Sequence, residues 1–363
     1  MSLILVLTSL IVGAFILFVA GDSLVDNAKS LGLKLKIDPM IIGLTVVSFG
    51  TSVPELFISA QGVLFGQSEI AIGNVVGSNI TNVLLILGLS AALSPIKISK
   101  RTINKDIPVM IGVSMLFLLL SLDLVVSRLD GLVMFGLLIF LTRYEINSVK
   151  KSKREEVQIA TEDVLESNGF QKELLYIFAS LVALLIGSKL LIFGATEIAR
   201  AFGISELVIG LTIVSIGTSL PEVVTSCVAA RKGESELAIG NVVGSNILNV
   251  LGVMGICSML KSVPVPLAAL SFDIPILLFS AAACLPIVIT DRKITRGEGL
   301  LLLGLYVSYI IYLILVAKDH ASTPVISELL LVFILPLAAY YLFNNKKSRR
   351  IYASIRKSRS ESL

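Results

Sequence analysis

Apolar runs long enough to cross a bilayer, cut at charged or Pro/Gly-rich joints, occupy most of this chain. Measured against about 20 residues per span, they predict eleven helices, at 2–28, 38–64, 69–94, 106–125, 129–147, 173–201, 204–230, 236–260, 270–290, 297–317 and 325–343. Between the fifth and sixth lies NSVKKSKREEVQIATEDVLESNGFQKE, the one long polar stretch before the C-terminus and the natural seam between two halves. Residues 1–149 are read as a first transmembrane repeat and 150–172 as a linker loop. A second repeat follows at 173–317, and 318–363 form an additional helix with a basic tail. The linker is too short to fold as a domain of its own.

The halves repeat one another. GLTVVSFGTSVPE (Gly43 to Glu55) returns as GLTIVSIGTSLPE (Gly210 to Glu222), and AIGNVVGSNITNVL (Ala71 to Leu84) as AIGNVVGSNILNVL (Ala238 to Leu251), both offset by 167 residues. Five spans precede the seam, so the second copy enters the membrane from the opposite face and the repeats are inverted. The expected fold is an all-α polytopic membrane protein of two inverted five-helix repeats, a ten-helix core, plus one extra C-terminal helix. Pseudo-twofold symmetry in the membrane plane then brings both motif pairs to the midplane, where secondary transporters hold their substrates.

Composition agrees: 55% of residues are hydrophobic, 15% charged, and the mean hydropathy is +0.92, which excludes a water-soluble domain. All three cysteines, Cys227, Cys257 and Cys284, fall in apolar runs and imply no disulfide framework. A single histidine, His320, leaves little for a histidine metal site or proton relay. The N-terminus lacks a basic start and a cleavage pattern, so its apolar run reads as a retained first span. Basic residues set the orientation: Arg128, Arg200, Lys261 and Lys318 lie on one side and Lys189 within a span, while the other 25 of 30 lie on the opposite side. The N-terminus is therefore expected outside, with linker and tail in the cytoplasm of a cell bounded by this membrane.

Ionisable residues at membrane depth are costly and functional by default. Ser48, Ser52 and Glu55 recur at i, i+4 and i+7, one helical face, and Ser215, Ser219 and Glu222 repeat them. Pro54 and Pro221 lack an N–H, so the carbonyls of Gly50 and Gly217 lose their helical partners and the segments holding Thr51 and Thr218 loosen. Companion helices carry Asn74, Ser78 and Asn82, matched by Asn241, Ser245 and Asn249. Beside them Gly73 and Gly77, with Gly240 and Gly244, form a small-residue stripe that permits close helix approach. Pooled, the halves offer two carboxylates, amides, hydroxyls and carbonyls, with no sulfur or imidazole. Such a set suits Ca2+, which takes about 6–8 oxygens in flexible geometry, and Na+ can use the same donors. Serine and asparagine also serve as interhelical glue, and proline kinks occur without ligands, but duplication of a glutamate-bearing motif across an inverted repeat argues for a site. Charges at Asp22, Asp26, Lys189 and Glu197 are expected to snorkel or pair locally, and Asp106, Asp123, Asp273 and Glu298 to mark the interface.

At these residues the chain resembles the Ca2+/cation antiporter superfamily, and within it the prokaryotic sodium/calcium exchangers. GTSVPE with GNVVGSNITN, and GTSLPE with GNVVGSNILN, are similar to that family's two α-repeats, over Met1 to Ala317. The resemblance implies exchange of several Na+ for one Ca2+ by alternating access. It implies Glu55 and Glu222 as chief Ca2+ ligands, with carbonyls of Thr51 and Thr218. Ser52, Ser78, Ser219 and Ser245, with carbonyls of Ser48 and Ser215, would form Na+ sites, and Asn82 and Asn249 would close the centre. Some relatives, notably potassium-dependent ones, carry an aspartate where this chain has Asn249, which argues against K+ co-transport. The rival within the superfamily is a calcium/proton antiporter, whose members typically show Gly-Asn-x-x-Glu in place of Gly-Thr-Ser-x-Pro-Glu. An intramembrane hydrolase using two carboxylates as a dyad is a reading from another class, but no nucleophile accompanies them, so no enzyme activity is expected. Ca2+ and Na+ as substrates and the lipid bilayer are the expected partners, with no nucleic acid and no resident cofactor; oligomeric state is not legible.

Overall fold

The computed structural model describes residues 3–35, 37–157, 170–203, 209, 213, 215–289 and 292–317, with backbone alone at 146–157, 215 and 286–289. The expected eleventh helix and basic tail lie outside the described residues. A long first helix, α1 (Leu3–Leu35), leads to α2 (Pro39–Thr51) and α3 (Val53–Leu64), which meet at a 44° bend. Asp38 starts α2 by accepting the Met40 N–H at 2.9 Å, and Pro39 fits the first turn, where its missing N–H has no helical partner. Next come α4 (Ser68–Leu93), β1 (Ile96–Lys97), α5 (Thr102–Leu120), β2 (Val125–Val126) and α6 (Arg128–Val157). The second half runs α7 (Phe170–Ala201), α8 (Ser215–Thr218), α9 (Leu220–Arg231), α10 (Ser235–Leu260), β3 (Val263–Pro264), α11 (Ile274–Ile289), β4 (Lys293–Ile294) and α12 (Arg296–Ala317). Helix α6 thus continues into the stretch expected as linker.

Local geometry repeats with the sequence. Both α3 and α9 end on a left-handed glycine, Gly66 at φ 81° and Gly233 at φ 79°. Each is closed by the paired bonds of a Schellman turn: Gln67 N to Gly62 O at 2.7 Å and Gly66 N to Val63 O at 3.3 Å, then Glu234 N to Ala229 O at 2.8 Å and Gly233 N to Ala230 O at 3.1 Å. Within α4 a widened π turn covers Asn82–Leu87, and in α10 its counterpart covers Asn249–Met254. Another opens α5 at Thr102–Asp106 and precedes α11 at Ala269–Asp273. Such turns interrupt the i to i−4 ladder and often fall at functional sites.

Two short bridges tie the halves together and reveal their relative sense. Strand β1 pairs antiparallel with β4, Ile96 opposite Ile294, and β2 pairs antiparallel with β3, Val126 opposite Val263. One helix, α5, separates β1 from β2, so the two bridges sit at opposite ends of the bundle. Equivalent strands β1 and β3 therefore lie at opposite ends, which is the inversion the repeat pattern predicts.

Glycines set the closest approaches. A Cβ on Gly244 would stand 2.6 Å from the Leu44 carbonyl and 2.6 Å from Ser48 Oγ, and one on Gly240 would stand 2.6 Å from the Met40 carbonyl, so α2 rides directly on α10. A second close crossing, which no sequence motif announced, joins α1 to α7: a Cβ on Gly13 would lie 2.9 Å from Gly187 O. The outward faces of these two helices expose Phe15, Phe18, Leu175 and Phe178, as hydrocarbon solvent requires.

Candidate ion-binding centre

The bend between α2 and α3 falls on Ser52, at φ −86° and ψ 5°, two residues before the proline that removes an amide from the ladder. Its counterpart, Ser219, has φ −90° and ψ 8° between α8 and α9. Both breaks lie inside the molecule, and each sends a carboxylate inward: Glu55 and Glu222 are each 1% exposed. The sequence treats 38–64 and 204–230 as single kinked helices; the structure makes each break a discrete joint.

The two halves grip one another's acids. Ser219 Oγ donates to Glu55 Oε1 at 3.3 Å, and Ser52 Oγ donates to Glu222 Oε1 at 3.4 Å. Behind each acid an amide fixes the main chain. Asn74 Nδ2 donates to the Glu55 carbonyl at 3.0 Å and to Ser59 Oγ at 2.9 Å, while Asn241 Nδ2 donates to the Glu222 carbonyl at 3.4 Å and to Ser226 Oγ at 2.9 Å. Thr51 Oγ1 lies 3.3 Å from both the Ser48 carbonyl and Asn241 Oδ1. Ser48 Oγ donates to the Leu44 carbonyl at 2.7 Å, so its hydroxyl serves its own helix. Across the middle, Asn82 Nδ2 donates to Asn246 Oδ1 at 3.0 Å and Asn249 Nδ2 to Ser78 Oγ at 2.9 Å.

Part of this network has no partner among the described residues. Glu55 Oε2, Glu222 Oε2, Asn82 Oδ1, Asn249 Oδ1 and Ser245 Oγ are buried and make no hydrogen bond with them. Buried polar atoms are ordinarily satisfied, and leaving a carboxylate oxygen bare is among the costlier exceptions. Five oxygens from both halves, two of them carboxylate, form a donor set for a hard cation. Of the expected site residues, Thr218 is half-buried beside the second joint, and the side chain of Ser215 lies outside the described residues. Ser59, Ser226, Asn79 and Asn246 were not singled out in the sequence, although Asn79 and Asn246 stand in the duplicated GNVVGSN.

Outside the centre Glu197 pairs locally with Arg200 at 2.6 Å, as expected, while several other charged residues depart from expectation. Asp22 and Asp26 pair not locally but with Lys232, each at 2.7 Å. Lys29 meets Glu234 at 2.7 Å and Lys34 meets Glu173 at 2.6 Å, all at the end where β1 joins β4. Asp106 is 2% exposed rather than interfacial, close to Arg101, and Arg101 and Lys105 both pair with Glu145. Asp273 accepts from the Tyr309 hydroxyl at 3.0 Å, and Glu298 caps α12 through the Thr295 N–H at 2.8 Å.

Inverted, interlocked helical repeats around a buried oxygen cage define a multi-pass membrane transporter of the secondary type. The chain belongs to the sodium/calcium exchanger protein family, which matches residues 5–146 and 172–315. It is 36% identical over 312 residues to the putative antiporter CaxA of Alkalimonas amylolytica, covering 82% of this chain and 95% of that one. It is 32% identical over 340 residues to the sodium/calcium exchanger MaX1 of Methanosarcina acetivorans, covering 84% and 97%. The solved sodium-calcium exchanger NCX_Mj superposes with a TM-score of 0.74 at 31% identity, covering 86% of this chain and all of that one.

Proposed function

We propose that the protein is a secondary active antiporter that exchanges several Na+ for one Ca2+ by alternating access. The observation that carries this reading is the set of buried, unpartnered oxygens shared by the two halves at Glu55, Glu222, Asn82, Asn249 and Ser245. Two glutamates balance the charge of a divalent ion in a low-dielectric interior, so Ca2+ sits between them, with the carbonyls of Thr51 and Thr218 completing its shell. Na+ carries half that charge and takes the flanking sites built from Ser52, Ser78, Ser219 and Ser245 with the carbonyls of Ser48 and Ser215. Competition follows from sharing: an oxygen that turns toward Na+ is lost to Ca2+, so filling the serine sites ejects the divalent ion. No resident cofactor takes part.

The excess of basic residues on the linker side supports a reading with that face in the cytoplasm and the N-terminus outside, in the cell membrane. Asn249 lowers the negative charge of the centre, and exchange proceeds without K+.

The test is radioactive Ca2+ uptake into proteoliposomes loaded with Na+ and diluted into Na+-free medium, beside an imposed pH gradient at equal Na+. Uptake driven by the Na+ gradient alone is expected. Uptake with the pH gradient alone would make the protein a calcium/proton antiporter, and the serine assignments would fall.

A further inference from the structure

The serine bonds to the two glutamates and the amide bonds behind them each have their counterpart 167 positions along the chain; at Asn82 and Asn249 the match fails. Asn82 donates to an asparagine, Asn246, whereas Asn249 donates to a serine, Ser78. Ser78 and Asn79 are neighbours on α4, and Ser245 and Asn246 are neighbours on α10. By the repeat, each central amide faces one serine and one asparagine on the opposite helix, and the two amides have taken different ones. The acceptors passed over, Asn79 and Ser245, are themselves buried at 2% and 0% exposure. Both side-chain polar atoms of Asn79 and the Oγ of Ser245 have no hydrogen-bond partner among the described residues. A buried amide with neither end satisfied needs a reason to persist.

The repeat supplies one. Moving Asn249 to Asn79 and Asn82 to Ser245 would give the mirror of these two amide bonds and would satisfy the two acceptors that now stand bare. Exchanging the conformations of two inverted repeats is also what converts access from one face to access from the other.

We propose that Asn79 and Asn246 are positioning residues of the transport cycle, and that the amides of Asn82 and Asn249 exchange acceptors between the two access states. In the present state the bonds are Asn82 to Asn246 and Asn249 to Ser78; in the other they are Asn249 to Asn79 and Asn82 to Ser245. The inference rests on the antiporter reading for the existence of two access states. The central amides make the same two kinds of bond in each network, and the present state adds one weak contact, Asn246 Nδ2 to Met110 Sδ at 3.3 Å, whose repeat counterpart is Leu277. Each central Nδ2 carries two hydrogens yet bonds only one of its two acceptors here, leaving the other bare, so the change is a step from one acceptor to the other. Turning Nδ2 also turns Oδ1, so the orientation of two oxygens in the centre is tied to the side that is open.

Leucine variants separate the states. Asn79 makes no bond in the present state, so Asn79→Leu removes an acceptor from the other state only and shifts the population toward the present one by about three- to tenfold, the weight of one neutral hydrogen bond. Asn246→Leu removes an acceptor from the present state and shifts the population the opposite way. Hydrogen exchange on α3 and α9, which enter the centre from opposite ends, reads the shift in nanodiscs without any transport. The difference in protection between the two helices should grow in Asn79→Leu, shrink or reverse in Asn246→Leu, and return toward the wild type in the double variant. Asn246→Ser, which keeps a shorter acceptor, gives a graded form of the second shift should the leucine variant not fold. Shifts in the same direction, or no shift in Asn79→Leu, would overturn the exchange of acceptors. Since the readout involves no flux, loss of the Na+/Ca2+ reading in proteoliposomes would be seen separately from loss of this one.

Discussion

The rim of the centre and its middle obey different rules. At the rim, Glu55 with Ser219 and Glu222 with Ser52 are copies of one contact, and Asn74 and Asn241 brace the two acids in the same way. In the middle, Asn82 and Asn249 occupy equivalent positions in the repeat and have different partners. A frame that is the same in both halves fixes where an ion sits whichever face is open. Only a feature that differs between the halves can register which face that is. The two tasks have fallen to neighbouring residues on the same helices.

The matched rim makes strong demands. Replacing either acid, as Glu55→Gln or Glu222→Gln, should cut Na+-driven Ca2+ uptake at least ~100-fold, since each leaves a dication with half its counter-charge. The two losses should be equal within a few-fold, and a Glu55→Gln protein that transports near the wild-type rate would end the proposed site. Next in size is Gly244→Ala, whose new methyl group meets the Leu44 carbonyl and Ser48 Oγ at 2.6 Å. Overpacking there should cost about 1–3 kcal/mol, read as a lower melting temperature in detergent. Gly304→Ala, with nothing within 4 Å of the added Cβ, is the control and should melt no lower than the parent. Asn74→Ala and Asn241→Ala each release a glutamate carbonyl and a serine, and should each weaken apparent Ca2+ affinity by about three- to tenfold. Titration calorimetry of the two variants sharpens the comparison, because a matched frame requires matched losses. The smallest effect belongs to Lys232→Gln, which frees Asp22 and Asp26 at an exposed end. It should change stability by less than about 1 kcal/mol, and the difference should fade with added salt.

Much of this architecture is legible in the order of residues. The duplicated GTSxPE and GNVVGSN segments announce the repeat, the inversion and the acids, because a carboxylate in a long apolar run is too costly to persist without a task. Pro54 and Pro221 mark the joints to within two residues of Ser52 and Ser219. What stays hidden depends on pairing across the halves. Nothing in the sequence says that Ser219 rather than Ser52 reaches Glu55, or that Lys232 reaches back to Asp22. Asn79 and Asn246 sit in plain view within the motif, yet periodicity puts them beside the Ser78 and Ser245 stripe, and only the bonds made and missed tell them apart. The π turns at Asn82 and Asn249 are invisible for a related reason: their widened ladder is set by packing, while the local sequence is ordinary helix.

The bridges β1·β4 and β2·β3 bear on how the protein is made. Ile96 emerges from the ribosome long before Ile294, its partner, and Val126 long before Val263. At ~5–20 residues per second, the first half spends on the order of ten seconds or more in the bilayer with both strand edges and Glu55 uncovered. Maturation of this chain is therefore governed from its far end, and a ribosome that stalls in the second half leaves behind a membrane-inserted intermediate with an open centre, the natural substrate for quality-control proteolysis.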